Sequence, residues 1–220
     1  MLKALIFDMD GVIVDSEYLD YQLQSDMILR IAKDPGRLKQ EDFESLVGHS
    51  GQDLLDAIKN LTQTDLSLQE IQEELDAISR IKYAPKQIEQ IFRSDLLPVL
   101  DWARKEGLAL AVASSSNRDH IEAVLEACQI RSYFETLVSG QDFEKSKPHP
   151  AIYQETLRQL NLSADEAIAI EDSPVGIASA KAAGLLVIGY EETRLQLDQS
   201  QADVLLPDWT AILSSLKTIN

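Results

Sequence analysis

Lys3-Ala4-Leu5-Ile6-Phe7-Asp8-Met9-Asp10-Gly11 opens the chain with an apolar run that meets an acid and is closed by a glycine. A short, unbroken apolar stretch bounded in this way reads as a strand buried on both faces of a parallel sheet. Four later runs look the same, at 108–113, 136–139, 167–170 and 185–189, and a weaker sixth lies at 203–206. Helical stripes fill the spaces between them. Ile121, Val124, Leu125 and Cys128 fall at i, i+3, i+4 and i+7, and Ile152, Tyr153, Thr156, Leu157 and Leu160 form another apolar face. Ser173-Pro174 reads as an N-cap and first helical residue, and Gly184 closes that helix. Strands alternating with helices predict an α/β fold, a doubly wound parallel sheet of Rossmann-like type covered on both faces.

The alternation breaks once. From about Ser16 to Arg93 only helical patterns occur, far longer than a usual crossover. Leu68, Ile71, Leu75, Ile78 and Ile81 make one stripe, opened by the capping box Ser67…Glu70. The expected division is an α/β unit built from 1–15 and 94–220, with a helical domain, 16–93, inserted after the first strand. The α/β unit resumes with a helix holding Leu96, Leu100 and Ala103, stopped at Gly107.

Composition excludes several classes. The chain has 220 residues, 45% hydrophobic and 26% charged, which suits a globular core and not extended disorder. Its net charge of −17 repels phosphate backbones and anionic lipid, so neither nucleic acid nor membrane is an expected partner. The single cysteine, Cys128, can form neither an internal disulfide nor a thiolate zinc site. No apolar run has membrane-span length, and acids arrive early in MLKALIFDMDG, unlike a signal peptide. A cytoplasmic protein, a monomer or weak dimer, is expected.

In open α/β sheets, ligands bind beyond the carboxyl ends of the strands. The first strand is followed by Asp8-Met9-Asp10-Gly11, the second by Ser114-Ser115-Ser116-Asn117 and the fourth by Glu171-Asp172-Ser173-Pro174. Lys145-Ser146-Lys147-Pro148 precedes the helix near Ile152. Asp8, Asp10, Glu171 and Asp172 would crowd one edge, raising each other's pKa. A divalent cation relieves such a crowd, and Mg²⁺ prefers a few carboxylates plus water and phosphate oxygens. Ser114 offers a hydroxyl, the next helix start offers N–H groups, and Lys147 a mobile positive charge.

These four motifs, in this order, resemble the haloacid dehalogenase superfamily of phosphatases and phosphomutases, most closely its β-phosphoglucomutase-like branch. Asp8-Met9-Asp10-Gly11-Val12 with Asp15-Ser16 is similar to its first motif and Ser114 to the second. Lys147 before a proline is similar to the third, and Glu171-Asp172-Ser173 with Gly176 to the fourth. The inserted helices resemble its small α-helical cap. The resemblance implies that Asp8 is the nucleophile, forming an aspartyl phosphate. It implies that Asp10 is the general acid and base. Asp8, the Asp10 main-chain carbonyl and Asp172 would hold Mg²⁺, with Glu171 acting directly or through a water. Ser114, with Ser115 beside it, and Lys147 would grip the phosphoryl group. An Asp two residues beyond the nucleophile favours phosphoryl transfer over dehalogenation, because a halide leaves without a proton.

The expected substrate is a small phosphorylated metabolite, a sugar phosphate or similar monoester, closed over by the cap. The loop Gly48-His49-Ser50-Gly51-Gln52 supplies His49 and Ser50 as candidate substrate contacts, or simply as helix-capping residues. Where β-phosphoglucomutases have an Arg after the Ser of the similar loop, this chain has Gly51. That favours a hydrolase over a phosphomutase, the nearest alternative. A receiver-like signalling domain and a catalytically inactive binding module are the alternatives of another class. Lys33, Lys39, Lys59, Lys82 and Lys86 in the helical insertion are expected on solvated faces. Cys128, Trp102 and Trp209 are expected in packing, Asn117 as a helix cap, His149 in a loop, and His120 exposed at a helix start.

Overall fold

The structure, a computed structural model, describes residues 1–219. The strands are β1 (Ala4–Phe7), β2 (Ala109–Ser114), β3 (Thr136–Ser139), β4 (Ala167–Glu171), β5 (Leu186–Tyr190) and β6 (Val204–Leu206). They form one six-stranded sheet in the order β3-β2-β1-β4-β5-β6, and every pairing is parallel. β1 lies at the centre, paired on both sides and fully buried. Its apolar run has no polar alternation because both faces are covered. The strands read from sequence are those observed, with ends shifted by a residue or so. The shift places Ser114 and Glu171 as the last residues of β2 and β4.

The helices outside the insertion are α6 (Leu97–Lys105), α7 (Arg118–Ala127), α8 (Ala151–Leu160), α9 (Pro174–Ala182) and α10 (Trp209–Ile219). Two apolar layers clasp the sheet. One joins Leu5 and Phe7 to α6, α7 and α10, and the other joins Ala4 and Ile6 to α8 and α9. Trp209 is fully buried and Cys128 lies in the first layer, where Trp102 also packs. The Ser173 hydroxyl accepts from the Gly176 N–H at the start of α9, and Gly184, at φ +86°, follows its end. Asn117 caps α7 by accepting from the His120 N–H. His120 itself is half-buried and not exposed as expected, because its ring lies 4.5 Å from that of Tyr83.

Between β1 and β2 lie α1 (Ser16–Ile31), α2 (Gln40–Glu44), α3 (Gly51–Thr62), α4 (Leu68–Lys82) and α5 (Pro85–Ile91), with no strand among them. All but α5, whose Ile88 packs in the first sheet layer, enclose a third apolar core around Ile28, Leu46, Leu54, Ile58, Ile71 and Ile78. The Ser67…Glu70 capping box opens α4 as read. Its stripe is buried only at the centre, since Leu68 and Ile81 at the two ends are exposed. Two linkers tie this helical unit to the sheet. They are joined where the Asp15 N–H donates to the Ile91 carbonyl and the Arg93 N–H to the Ile13 carbonyl.

Truncating Ile58→Ala empties a fully buried position of the third core. Urea unfolding is expected to show a loss of about 2–5 kcal/mol, the usual cost of such a deletion. A change within experimental error would show that this core does not hold the helical unit together.

Candidate active site

The carboxyl ends of β1, β2 and β4 converge on one edge of the sheet, as their register requires. Asp8 follows β1 and its N–H donates to the Ile170 carbonyl (2.9 Å). Lys147 reaches under it from the loop before α8. Its ammonium donates to Asp8 Oδ1 (2.5 Å), Glu171 Oε1 (2.6 Å) and the Ala113 carbonyl (3.0 Å). All three N–H bonds of a buried ammonium are thereby used. Glu171 is fully buried and saturated as well: Tyr153 donates to Oε1 (2.7 Å), and the Asp172 and Ser173 N–H groups to Oε2.

Asp172 differs. Its Oδ1 is buried and finds no hydrogen-bond partner among the described residues. Carboxylate oxygens of Asp8, Glu171 and Asp172 lie within 4.8 Å of one another. Three hard oxygen donors with an orphaned lone pair among them fit a small divalent cation such as Mg²⁺. Two glycines make this crowding possible. A Cβ on Gly11, already at φ +82°, would stand 1.8 Å from the Asp172 carboxylate, and one on Gly176 would stand 2.0 Å from that of Glu171.

The Asp10 side chain is not part of that trio. Its Oδ1 accepts from Ser16 Oγ (2.5 Å) and its Oδ2 from Ser116 Oγ (2.9 Å), while the Tyr83 hydroxyl lies 2.9 Å from both. Lys82 stands 3.5 Å from Asp10 and 3.5 Å from Asp20. Lys82 is therefore buried, contrary to the solvated face expected for it, because two carboxylates repay its desolvation. Lys59 is not on a fully solvated face either: it is half-buried and donates to the Thr64 and Leu66 carbonyls.

Charge follows burial here. Desolvation lifts Asp8 to about 7, since Lys147 is shared with Glu171 and offsets only part of the cost. Burial lifts Asp172 well above the carboxylate range, with Glu17 and Glu171 adding repulsion. Glu17, on α1, rises to about 8 by burial, more than Lys82 offsets. Burial also opposes ionisation of Asp10, but Lys82 and the Ser16, Ser116 and Tyr83 hydroxyls hold it below the ordinary value. Lys147 is raised, the attraction of Asp8 and Glu171 exceeding the pull of burial.

A cavity of about 470 Å³ opens over these groups, between the sheet edge and the inserted helices. Asp8, Asp10, Ser114, Ser115 and Lys147 face it from below, and His49 and Ser50 border it from the loop before α3. Ser114 is buried, with its hydroxyl accepting from the Ser116 N–H (3.1 Å). His49 is exposed, and so is His149, which stands in its loop as expected. Glu17, Asp20, Lys82 and Tyr83 also line the cavity, and sequence reasoning missed them. Glu17 and Asp20 share a face of α1 by their i, i+3 spacing, a signal of weak specificity. Nothing local to Lys82-Tyr83 marks their role, since their partners Asp10, Asp20 and Ser116 lie on distant parts of the chain.

Residues 5–190 match the family of haloacid dehalogenase-like hydrolases. Validoxylamine A 7'-phosphate phosphatase of Streptomyces hygroscopicus subsp. limoneus is 27% identical, across 96% of each chain. Protein CbbY of Rhodobacter capsulatus is 30% identical, across 96% of this chain and 95% of its own length. The crystal structure of β-phosphoglucomutase from Clostridium difficile shares the fold, with a TM-score of 0.77 over the whole of both chains at 21% identity. A central parallel strand followed by a lysine-paired aspartate and the match over residues 5–190 agree, and the chain belongs to the haloacid dehalogenase-like hydrolases.

Proposed function

We propose that this hydrolase cleaves a small phosphorylated carbohydrate or similar phosphate monoester, with Asp8 as nucleophile. The observation that carries the reading is the buried Asp8–Lys147 pair at 2.5 Å beside the partnerless Oδ1 of Asp172. The phosphatase name of a relative that aligns along nearly its whole length supports it. Residues 16–93 act as the cap, and 1–15 with 94–220 as the catalytic core.

Asp8 attacks phosphorus in line and becomes an aspartyl phosphate. Lys147 holds Asp8 in place and faces the transferring oxygens with positive charge, and Ser114 and Ser115 donate to the same group. Asp10 protonates the leaving alkoxide and then takes a proton from the attacking water. Lys82 and Tyr83, at the C-terminal end of α4, hold Asp10 ionised in this arrangement, so it serves as an acid only once it has taken up a proton, and that uptake is tied to the position of the cap. Asp8, Asp172 and the Asp10 main-chain carbonyl would hold Mg²⁺, with Glu171 at one remove through Lys147 and the backbone. That ion would neutralise carboxylate and phosphoryl charge.

The cap wall favours hydrolysis over mutase chemistry. Asp20 and Asp76 face the cavity, and Glu17 beside them, raised to about 8, is largely uncharged at neutral pH. Of the cap cations there, Lys82 is held by Asp10 and Asp20, and Arg80 is exposed one helical turn after Asp76. A second phosphoryl group, carrying roughly two negative charges, would meet this wall unfavourably. A neutral, hydroxyl-bearing leaving group fits Tyr21, Gln24, Ser25 and Gln72 on the same side.

Asp8→Asn keeps the size of the side chain and removes the nucleophile. Phosphate release with Mg²⁺ is expected to fall roughly thousandfold or more with the melting temperature near that of the parent. Retention of activity would reject Asp8. With a β-hexose 1-phosphate and its bisphosphate supplied together, free phosphate is the expected product, and isomerised sugar phosphate would establish the mutase. Stability should also depend on pH. Asp8 at about 7 and Glu17 at about 8 bind protons in the native state that the unfolded chain, near 4, has already lost. The metal-free protein therefore loses stability as pH rises through that range, against a smaller opposite contribution from His120, whose value burial lowers. Thermal melts with EDTA or Mg²⁺ should show a stabilisation by Mg²⁺ that grows from about pH 5 to about pH 8.5. A gap that does not change with pH would contradict the proposed carboxylate crowding.

A further inference from the structure

The segment 191–199, between β5 and β6, touches three parts of the molecule that have no other reason to share a partner. At its C-terminal end Gln199 is buried, 5% exposed. Its side-chain amide donates to the Asp172 carbonyl (2.6 Å) and the Tyr190 carbonyl (2.8 Å), and its Oε1 accepts from the Glu192 N–H (3.1 Å). Both amide hydrogens and the oxygen are thereby used, so the side chain has one orientation that leaves nothing buried and unsatisfied. It holds the peptide of Asp172, the residue whose Oδ1 is left without a partner.

The middle of the segment holds the cap. Arg194 donates to both oxygens of Asp15 (2.8 and 2.6 Å), and its guanidinium lies 4.6 Å from the Tyr18 ring on α1. Asp15 is the last residue before α1, and Arg93, on the other linker, binds it as well (2.8 Å). The Gln196 N–H donates to Glu44 Oε1 on α2 (3.2 Å), a buried carboxylate. Glu192 completes the segment by bracing Arg194 (2.9 and 2.6 Å). A short run of chain therefore carries α1, α2 and the first linker at one end and the backbone of Asp172 at the other.

We propose that residues 191–199 are a strap that couples the position of the cap to the metal-side carboxylate, with Gln199 as a positioning residue for Asp172 and Arg194 as the contact that senses the cap. The proposal rests on the reading of Asp172 as a ligand of the divalent cation. Groups that orient a metal ligand without touching the metal affect affinity through that ligand. Coupling of this kind is reciprocal: an arrangement of the cap that suits the strap strengthens cation binding, and cation binding favours that arrangement.

The test is titration of the substrate-free protein with Mg²⁺ by calorimetry, beside thermal melts in EDTA that establish folding. Gln199→Leu, which removes the donors without adding charge, is expected to weaken Mg²⁺ binding roughly tenfold or more. Arg194→Gln lies at the surface end, away from the cavity lining and the carboxylate trio, and is expected to weaken it roughly two- to tenfold. The sign separates the strap from simple electrostatics. Loss of one positive charge near an acidic site would by itself tighten a cation, so unchanged or tighter binding by folded Arg194→Gln overturns the coupling. A folded Gln199→Leu with parental Mg²⁺ affinity removes the positioning role. If Gln199→Leu does not fold, Arg194→Gln alone decides the coupling. Failure of the parent protein to bind Mg²⁺ overturns the reading of Asp172 and the strap with it. Loss of binding in the variants alongside a binding parent upholds both.

Discussion

A single ammonium, that of Lys147, makes the sheet edge tenable. Asp8, Glu171 and Asp172 are all buried there, and each would repel the others in a medium that screens charge poorly. Lys147 spends its three donors on two of these carboxylates and on the Ala113 carbonyl, which also ties the loop before α8 to β2. Removing one partner of such a buried arrangement leaves a charge uncompensated, at a typical cost of about 3–5 kcal/mol. One positive charge does not answer three buried carboxylates, and burial opposes the ionisation of Asp8 and Asp172. The imbalance remains at Asp172, where an oxygen is buried without a donor. The fold thus holds an unfavourable arrangement that a divalent cation and a phosphoryl group together would relieve.

The rest of the architecture surrounds that imbalance. β1 is central and paired on both sides, so Asp8 leaves a rigid strand and not a mobile loop. Gly11 and Gly176 clear the space that the carboxylates of Asp172 and Glu171 occupy. Above the edge, the inserted helices have their own apolar core and reach down through Lys82 and Tyr83 to Asp10. The proposed nucleophile is therefore held by the sheet, while the proposed acid is held jointly by sheet and insertion. A proton donor shared in this way cannot act independently of how the two units sit. The strap at 191–199 makes a second connection of the same kind, on the side of Asp172.

Much of this was legible in the chain itself. The apolar runs, the caps at Ser67, Asn117 and Ser173, and the stop at Gly184 are local, so their meaning survives without tertiary knowledge. The acids at the strand ends were legible for a topological reason: a parallel sheet must bring the ends of its neighbouring strands together. Lys147 was legible only because it sits in a recognisable loop, and its pairing with both Asp8 and Glu171 was not.

Lys82, Tyr83 and Gln199 were not legible at all, and Glu17 only weakly, through its i, i+3 spacing with Asp20. Their partners lie on other elements, and their immediate neighbours look like ordinary helix or loop surface. Lys82 reads as one more lysine on an acidic helix, yet folding encloses it between Asp10 and Asp20. The amino-acid sequence by itself determined the parallel sheet, the helical insertion and the row of acids, because apolar periodicity and strand-end chemistry are properties of neighbouring residues. Tertiary structure alone decided which cations answer those acids and which oxygen goes without a partner, because burial and charge pairing depend on groups brought together from distant parts of the chain.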